Sequence, residues 1–207
     1  MQLEKQIQML GGFGFALEPG VAVEDLLYSF DREGYEAEPF DLIFFIMGVE
    51  IEREPWGRRF CKRIWNFDTE CIEQTGDYVR IAEELSDVAG KPDALESITD
   101  FVDLESKTGW LKYKVSDVER HWDIEIDDDW ADPIVTSYIM DDLETDGRRF
   151  YGKDNGQASI ICYLAKEEAK RLNELCHGAW SPLVLNDLET ALRSKSGWMA
   201  SLRKWFG

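Results

Sequence analysis

The sequence predicts an α+β fold: a mostly antiparallel sheet built from two β-hairpins, helices packed on one side, and a mainly helical part in front. Three observations carry this. From Trp110 to Ile126, apolar and polar residues alternate on both sides of a break at Ser116 to Glu119, the mark of two half-buried strands. Asn155-Gly156 lies between two further β-like runs and is a strong short hairpin signal. Between and around them, apolar residues recur at helical spacing, and helices segregated beside an antiparallel sheet are the α+β solution.

In chain order, residues 2–10 place Leu3, Ile7 and Leu10 on one helical face, and Gly11-Gly12 ends that helix. Gly12-Phe13-Gly14-Phe15 is glycine-rich but lacks the Lys or Ser/Thr that a phosphate loop requires, so it reads as an apolar connector. Val21 to Phe30 gives a second helix through Val23, Leu26, Leu27 and Phe30. Pro39 suits the first turn of a buried helix over Phe40 to Gly48, with a buried strand as the alternative for so short an apolar run. Ile51 to Arg63 is a loop with five bases, Arg53, Arg58, Arg59, Lys62 and Arg63, the one basic island in an acidic body.

Asp77 to Ala89 is the clearest helix, with Tyr78, Ile81, Ala82, Leu85, Val88 and Ala89 on one face and Gly90 and Pro92 as stops. Leu95 to Glu105 adds a strand. The first hairpin then turns around Asp117-Val118, a register that sets Tyr113 opposite Trp122, Leu111 opposite Ile124 and Lys112 opposite Asp123, with His121 opposite Lys114. Ile134 to Leu143 is a helix with Asp132 as N-cap and Pro133 at its first position. The second hairpin pairs Arg148 to Asp154 with residues 157 to 164, and Lys166 to Cys176 is a last amphipathic helix. The division that follows is one α+β domain over 1–176, with 1–50 mainly helical and 64–176 holding the sheet and its helices. Residues 177–207 form a basic, aromatic C-terminal segment. Its Trp198, Met199, Leu202, Trp205 and Phe206, interleaved with Arg203 and Lys204, fit docking on the acidic body, with a partner groove or a membrane surface as alternatives.

Charge narrows the function classes. The chain has 42 acids and 23 bases, a formal −19. Residues 1–146 hold 36 acids and 13 bases, net −23, while 147–207 hold 6 acids and 10 bases, net +4. Such a body repels nucleic acid and anionic membrane and attracts cationic partners, although acidity can also serve solubility alone. Four cysteines without CxxC spacing and only two histidines argue against zinc. The longest apolar run, Leu42 to Met47, is too short to span a bilayer. The start MQLEKQIQML lacks the parts of a secretory signal, which together with the cysteine usage places the chain in the cytoplasm.

Two acidic constellations are the candidate sites. Asp127, Asp128, Asp129, Trp130 and Asp132 form a rim after the first hairpin; the spacing is not that of an EF-hand, so an anionic contact surface is the better reading. Asp68 and Glu70, with Glu73 beyond, follow Trp65 and Phe67. In an extended stretch Asp68 and Glu70 share a face and suit a metal pair or general acid–base work, whereas the plainer reading has Asp68 or Thr69 capping a turn while Trp65, Phe67 and Ile72 fill the core. No GxSxG occurs and neither histidine has a nucleophile partner in its sequence context. No catalytic residue, metal or cofactor is assigned.

From Trp65 to Glu73, with Gly76-Asp77-Tyr78 following, the chain resembles a group of uncharacterised bacterial proteins that share a W-x-F-D-T-E-C-I-E…G-D-Y stretch. They also share a later D-D-x-W-x-D-P stretch, matched here by Asp127 to Pro133. That group is associated with toxin-linked immunity proteins, and the resemblance covers roughly residues 20–176. It implies a cytoplasmic binding protein that neutralises a partner enzyme; separately, the acidic body with exposed Trp and Asp suits occluding the basic cleft of a toxin such as a nuclease. The rim residues, and second Asp68 and Glu70, are the expected contacts. A carboxylate-dependent metal hydrolase and an adaptor docking through the C-terminal segment are the alternatives.

Overall fold

A computed structural model describes residues 1–156 and 158–183. Four short helices come first: α1 (Leu3–Gly11), α2 (Val23–Ser29), α3 (Arg32–Ala37) and α4 (Asp41–Met47). Strand β1 (Ile64–Asp68) and helix α5 (Asp77–Ala89) follow, then β2 (Leu95–Asp103), β3 (Thr108–Val115) and β4 (Val118–Ile124). Helix α6 (Pro133–Leu143), strands β5 (Arg148–Asn155) and β6 (Ala158–Ala165), helix α7 (Lys166–Leu175) and the short β7 (Ser181–Pro182) complete the described chain. The α+β class holds. The two hairpins, however, do not share a sheet: β2-β3-β4 is one antiparallel sheet and β1-β6-β5-β7 another.

The four-stranded sheet is the centre, and its period-2 alternation divides the apolar residues between two cores. Ile64, Tyr151, Ile160, Cys162 and Leu164 face one core with Leu3, Leu10, Leu26, Tyr35, Ile43, Phe44 and Leu172 from α1–α4 and α7. Trp65, Phe67, Phe150, Ile161 and Tyr163 face the other, with Tyr78, Ile81 and Leu85 of α5, Val135 and Ile139 of α6, and Leu111, Tyr113 and Ile124 of the smaller sheet. Helices thus cover both faces of the central sheet, a correction to the one-sided packing expected. A strand buried on both faces needs a continuous apolar run, and β6 supplies one in Ile160 to Leu164.

Local chemistry explains most boundaries. The Asp31 side chain accepts the Gly34 amide (2.9 Å) and starts α3, an element the sequence reading passed over. Phe40, at φ 73, sits in the left-handed region, so α4 begins after it rather than at it. At the end of α4 the chain runs into β1: the Asn66 amide donates to Gly48 O at 2.8 Å, and a Cβ on Gly48 would lie 2.5 Å from Asn66 N. Only glycine permits that approach. Helix α5 buries all six residues of its expected face and ends at Gly90, φ 69. Its own N-cap position, Gly76, offers no side chain, and Asp100 of β2 supplies the cap instead, accepting the Gly76 (2.7 Å) and Tyr78 (2.9 Å) amides.

The first hairpin closes through Ser116-Asp117, both at positive φ (48° and 62°), with Val115 opposite Val118. The register is therefore two residues from the expected one: Leu111 faces Trp122, Tyr113 faces Arg120, Trp110 faces Asp123 and Lys112 faces His121. Parity is preserved, so the inward set is unchanged. The second hairpin pairs Asn155 with Ala158 and Asp154 with Ser159, so Asn155 joins the ladder that was expected to end at Asp154. Residues 177–183 belong to the body rather than to a separate segment. Trp180 lies in the first core, and β7 pairs Pro182 with Tyr151 and Ser181 with Gly152. The remainder of the expected C-terminal segment, 184–207, lies outside the described residues, as does the helix that the sequence predicts over 186–193. Among the described residues, no helix is long and apolar enough to cross a membrane.

Candidate functional site

The two acidic stretches singled out in the sequence lie side by side. Beyond β1 the chain stays extended, and residues 127–131 run antiparallel to it. The Ala131 amide donates to Thr69 O (2.8 Å), the Ile72 amide donates to Asp129 O (2.9 Å), and Glu70 bridges to Trp130. The rim is itself a tight turn, with the Trp130 amide donating to Asp127 O (3.1 Å) and Asp128 at φ 55. Aspartate tolerates the left-handed region better than most residues, which suits it to that corner. Asp68, Asp127 and Asp128 are exposed, while Glu70, Asp129 and Trp130 are half-buried. The result is one contiguous acidic edge with an aromatic ring in it, set on backbone hydrogen bonds rather than on a free loop.

Asp132 belongs elsewhere. It is only 6% exposed, and its carboxylate accepts the amides of Glu125 (2.9 Å), Ile134 (2.8 Å) and Val135 (3.3 Å). Its own amide donates to the Tyr78 hydroxyl at 2.7 Å. Burial pushes the Asp132 carboxyl above the ordinary range, with the three amides opposing it. It caps α6, as its position before Pro133 predicts, and ties the rim to α5; it presents nothing to a partner. Asp68 likewise has a local task, its Oδ1 accepting the Glu70 amide at 3.1 Å, and Trp65, Phe67 and Ile72 fill the core. The two rings of Trp65 and Phe67 stack with centroids 4.4 Å apart.

Electrostatics around the edge disfavour the thiolate at its one cysteine. Cys71 is pushed up to about 12, first by burial and then by the carboxylates of Asp77, Asp68 and Asp129, with Arg80 opposing. Among the described residues, no three His, Cys, Asp or Glu side chains are grouped so as to hold a metal ion. His121 is exposed and lies 3.9 Å from Asp123, its ring edge-on to Trp110. A cavity of about 550 Å³ opens well away in sequence from the edge, lined by Phe40, Asp41, Lys153, Cys176 and His177 among others; Lys153 pairs with Asp41 at 2.5 Å on its wall.

Sequence reasoning missed two exposed aromatics, Trp56 in the basic loop and Tyr28 on α2 beside it. Trp56 is 69% and Tyr28 59% exposed, and the Arg53 guanidinium lies 5.4 Å over the Tyr28 ring. The loop is braced by the Ile51 amide on Arg58 O (2.8 Å) and by Arg53 (2.5 Å) and Arg58 (3.4 Å) on the nearly buried carboxylate of Asp25. A lone Trp between Pro55 and Gly57 was the available signal. Comparison with family models, with curated proteins and with solved structures gives no match.

Proposed function

We propose that this chain is an acidic binding protein that neutralises a cognate cationic protein, most concretely an immunity protein that occludes the active site of a basic bacterial toxin. The observation that carries this reading is the pairing of residues 69–72 with 129–131, which joins Asp68, Glu70, Asp127, Asp128, Asp129 and Trp130 into one braced edge. Carboxylates arranged on a fixed frame steer a cationic partner, and a half-buried Trp among them is a suitable anchor. Formal −19 over the whole chain extends the attraction to about a Debye length. Asp132 acts in support of that edge, not as a contact. The metal-hydrolase alternative lacks a grouped ligand set among the described residues, and the adaptor alternative rests on a segment outside them.

The test has two stages. Tagged protein is first used to capture partners from the native host, with parallel washes at low salt and at about 1 M, where the Debye length is about 3 Å. A single stoichiometric basic protein surviving the high-salt wash is the expected result. Association of that protein is then compared for the wild type and the Asp127→Asn/Asp128→Asn/Asp129→Asn variant. The variant associates about tenfold more slowly, with a flatter salt dependence and an unchanged unfolding temperature. Identical association kinetics in the variant would remove the edge from the interface.

A further inference from the structure

A strand at the rim of a sheet exposes a row of backbone donors and acceptors that another strand can use. The fold answers that row at β1, where Gly48 O takes the Asn66 amide, and at β5, where β7 pairs and Glu144 takes the Phe150 amide. At β2, Thr75 Oγ1 accepts the Val102 amide (3.0 Å) and donates to its carbonyl (3.3 Å). Strand β4 is the exception. Val115 and Val118 close the tight turn as a hydrogen-bonded pair, so Val118, Arg120, Trp122 and Ile124 turn their amides and carbonyls to β3. Those of Glu119, His121 and Asp123 point away from it. Among the described residues, no hydrogen bond reaches these outward amides and carbonyls.

The side chains beside this row suit one kind of occupant. Glu119 and Asp123 stand on the solvent side, 82% and 99% exposed. Sheet rims are commonly blunted by Lys or Pro, and β4 holds neither; its one arginine is folded back on Asp142. An antiparallel second copy centred on His121 would set Glu119 against Asp123, whereas a basic strand meets opposite charge at both places. On the core side, Trp122 stacks on Tyr138 of α6 with ring centroids 4.2 Å apart, and both rings are only half-buried. Across the solvent face the row continues into Trp110, which stacks on the exposed Phe101 at 6.4 Å and meets the His121 ring edge-on at 6.1 Å. Beyond Ile124, Asp132 takes the Glu125 amide, so the open row ends where the acidic edge begins.

We propose that the open edge of β4 receives an extended basic segment of a partner protein by strand addition. Basic side chains of that segment face Glu119 and Asp123, and its alternate apolar side chains cover Trp122 and Tyr138. Backbone pairing supplies the affinity of this mode, and the alternating side chains its selectivity. The inference rests on the proposed function for the positive charge of the partner, and it adds a mode of contact that the acidic edge alone does not require.

The test uses the full chain and a blocked seven-residue peptide alternating Lys and Val, as long as β4. Binding is measured by calorimetry at about 0.15 M salt, where a Debye length of about 8 Å removes long-range attraction. A peptide strand turns alternate amides to opposite sides, so N-methylating one alternate set weakens binding at least about tenfold while methylating the other leaves it. Antiparallel addition makes the lysine set the sensitive one. Glu119→Gln/Asp123→Asn weakens the unmethylated peptide about fivefold. Hydrogen exchange at the Glu119, His121 and Asp123 amides is fast in the free chain and slows on binding. Equal affinity of the two methylated peptides, or no binding of the parent peptide, would overturn strand addition. Slow exchange at those amides in the free chain would mean that the edge is already covered, and would overturn it too. The captured partner separates this inference from the reading it rests on. His121→Pro removes an outward amide and leaves the β3 ladder whole. A partner indifferent to that change yet dependent on Asp127, Asp128 and Asp129 would keep the acidic edge and overturn only the strand.

Discussion

Removing the Asp132 carboxylate is the perturbation with the most calculable outcome. Asp132→Ala takes away the acceptor for two amides in the first turn of α6 and for the Glu125 amide at the end of the rim's approach. Loss of an N-cap costs about 1 kcal/mol, and a further amide left without an acceptor in a partly buried place adds about 1–2 kcal/mol. The total, about 2–3 kcal/mol, lowers the unfolding temperature by about 5–10 °C in a chain of this size. Asp132→Asn retains one acceptor for the helix cap and loses the other, so it costs about 1 kcal/mol. The pH dependence distinguishes the two oxygens' roles. Because burial raises the native pKa, the folded chain binds more protons than the unfolded chain between the ordinary carboxyl value, about 4, and the raised one. The contribution of Asp132 to stability therefore falls as pH rises through that window, and the gap between wild type and Asp132→Asn narrows from acid toward neutral pH. Thermal unfolding from pH 3.5 to 7 measures it. An Asp132→Ala variant that melts within about 1 °C of the wild type, yet loses partner binding, would return Asp132 to the contact surface and refute the reasoning.

Other outcomes follow from equally specific contacts. Asp142→Ala strands the Tyr113 hydroxyl (2.8 Å) and the bidentate Arg120 (2.6 and 3.0 Å), uncoupling α6 from the small sheet; urea unfolding should show a loss of about 2 kcal/mol, limited because Arg120 remains a third exposed. Gly48→Ala pushes a methyl onto the backbone of β1 and costs about 1–3 kcal/mol, read by the same unfolding curves; an unchanged midpoint would mean that the strand moves away freely. The four cysteines are free and all have thiols raised by burial, Cys61 and Cys176 to about 11, so at pH 8 the native protein reacts with a disulfide reagent far more slowly than the unfolded protein. Rapid labelling of Cys61 or Cys162, the two buried thiols, in the native protein would contradict the burial described.

The amino-acid sequence by itself determined the elements whose information is local. Helical spacing marked the buried face of α5, Asp132-Pro133 marked the start of α6, alternation marked the strands of the first hairpin and Asn155-Gly156 marked the second, because these signals are written within a few residues of the structure they specify. It also supplied the residues of the acidic edge. Tertiary structure decided what depends on distant partners. Ser116-Asp117 adopts two positive-φ conformations without the usual Asn-Gly signal, and the tight closure shifts the register by two. Which hairpin joins which sheet, and the capping of α5 by Asp100 from β2, are long-range choices that no window of sequence contains. The same holds for the edge: a ladder of backbone hydrogen bonds between residues more than fifty positions apart brought Glu70 to Trp130, and burial on α5 withdrew Asp132 from the surface its charge had suggested. Charge can be counted along a chain, but whether a carboxylate meets water or an amide is settled only by what packs against it.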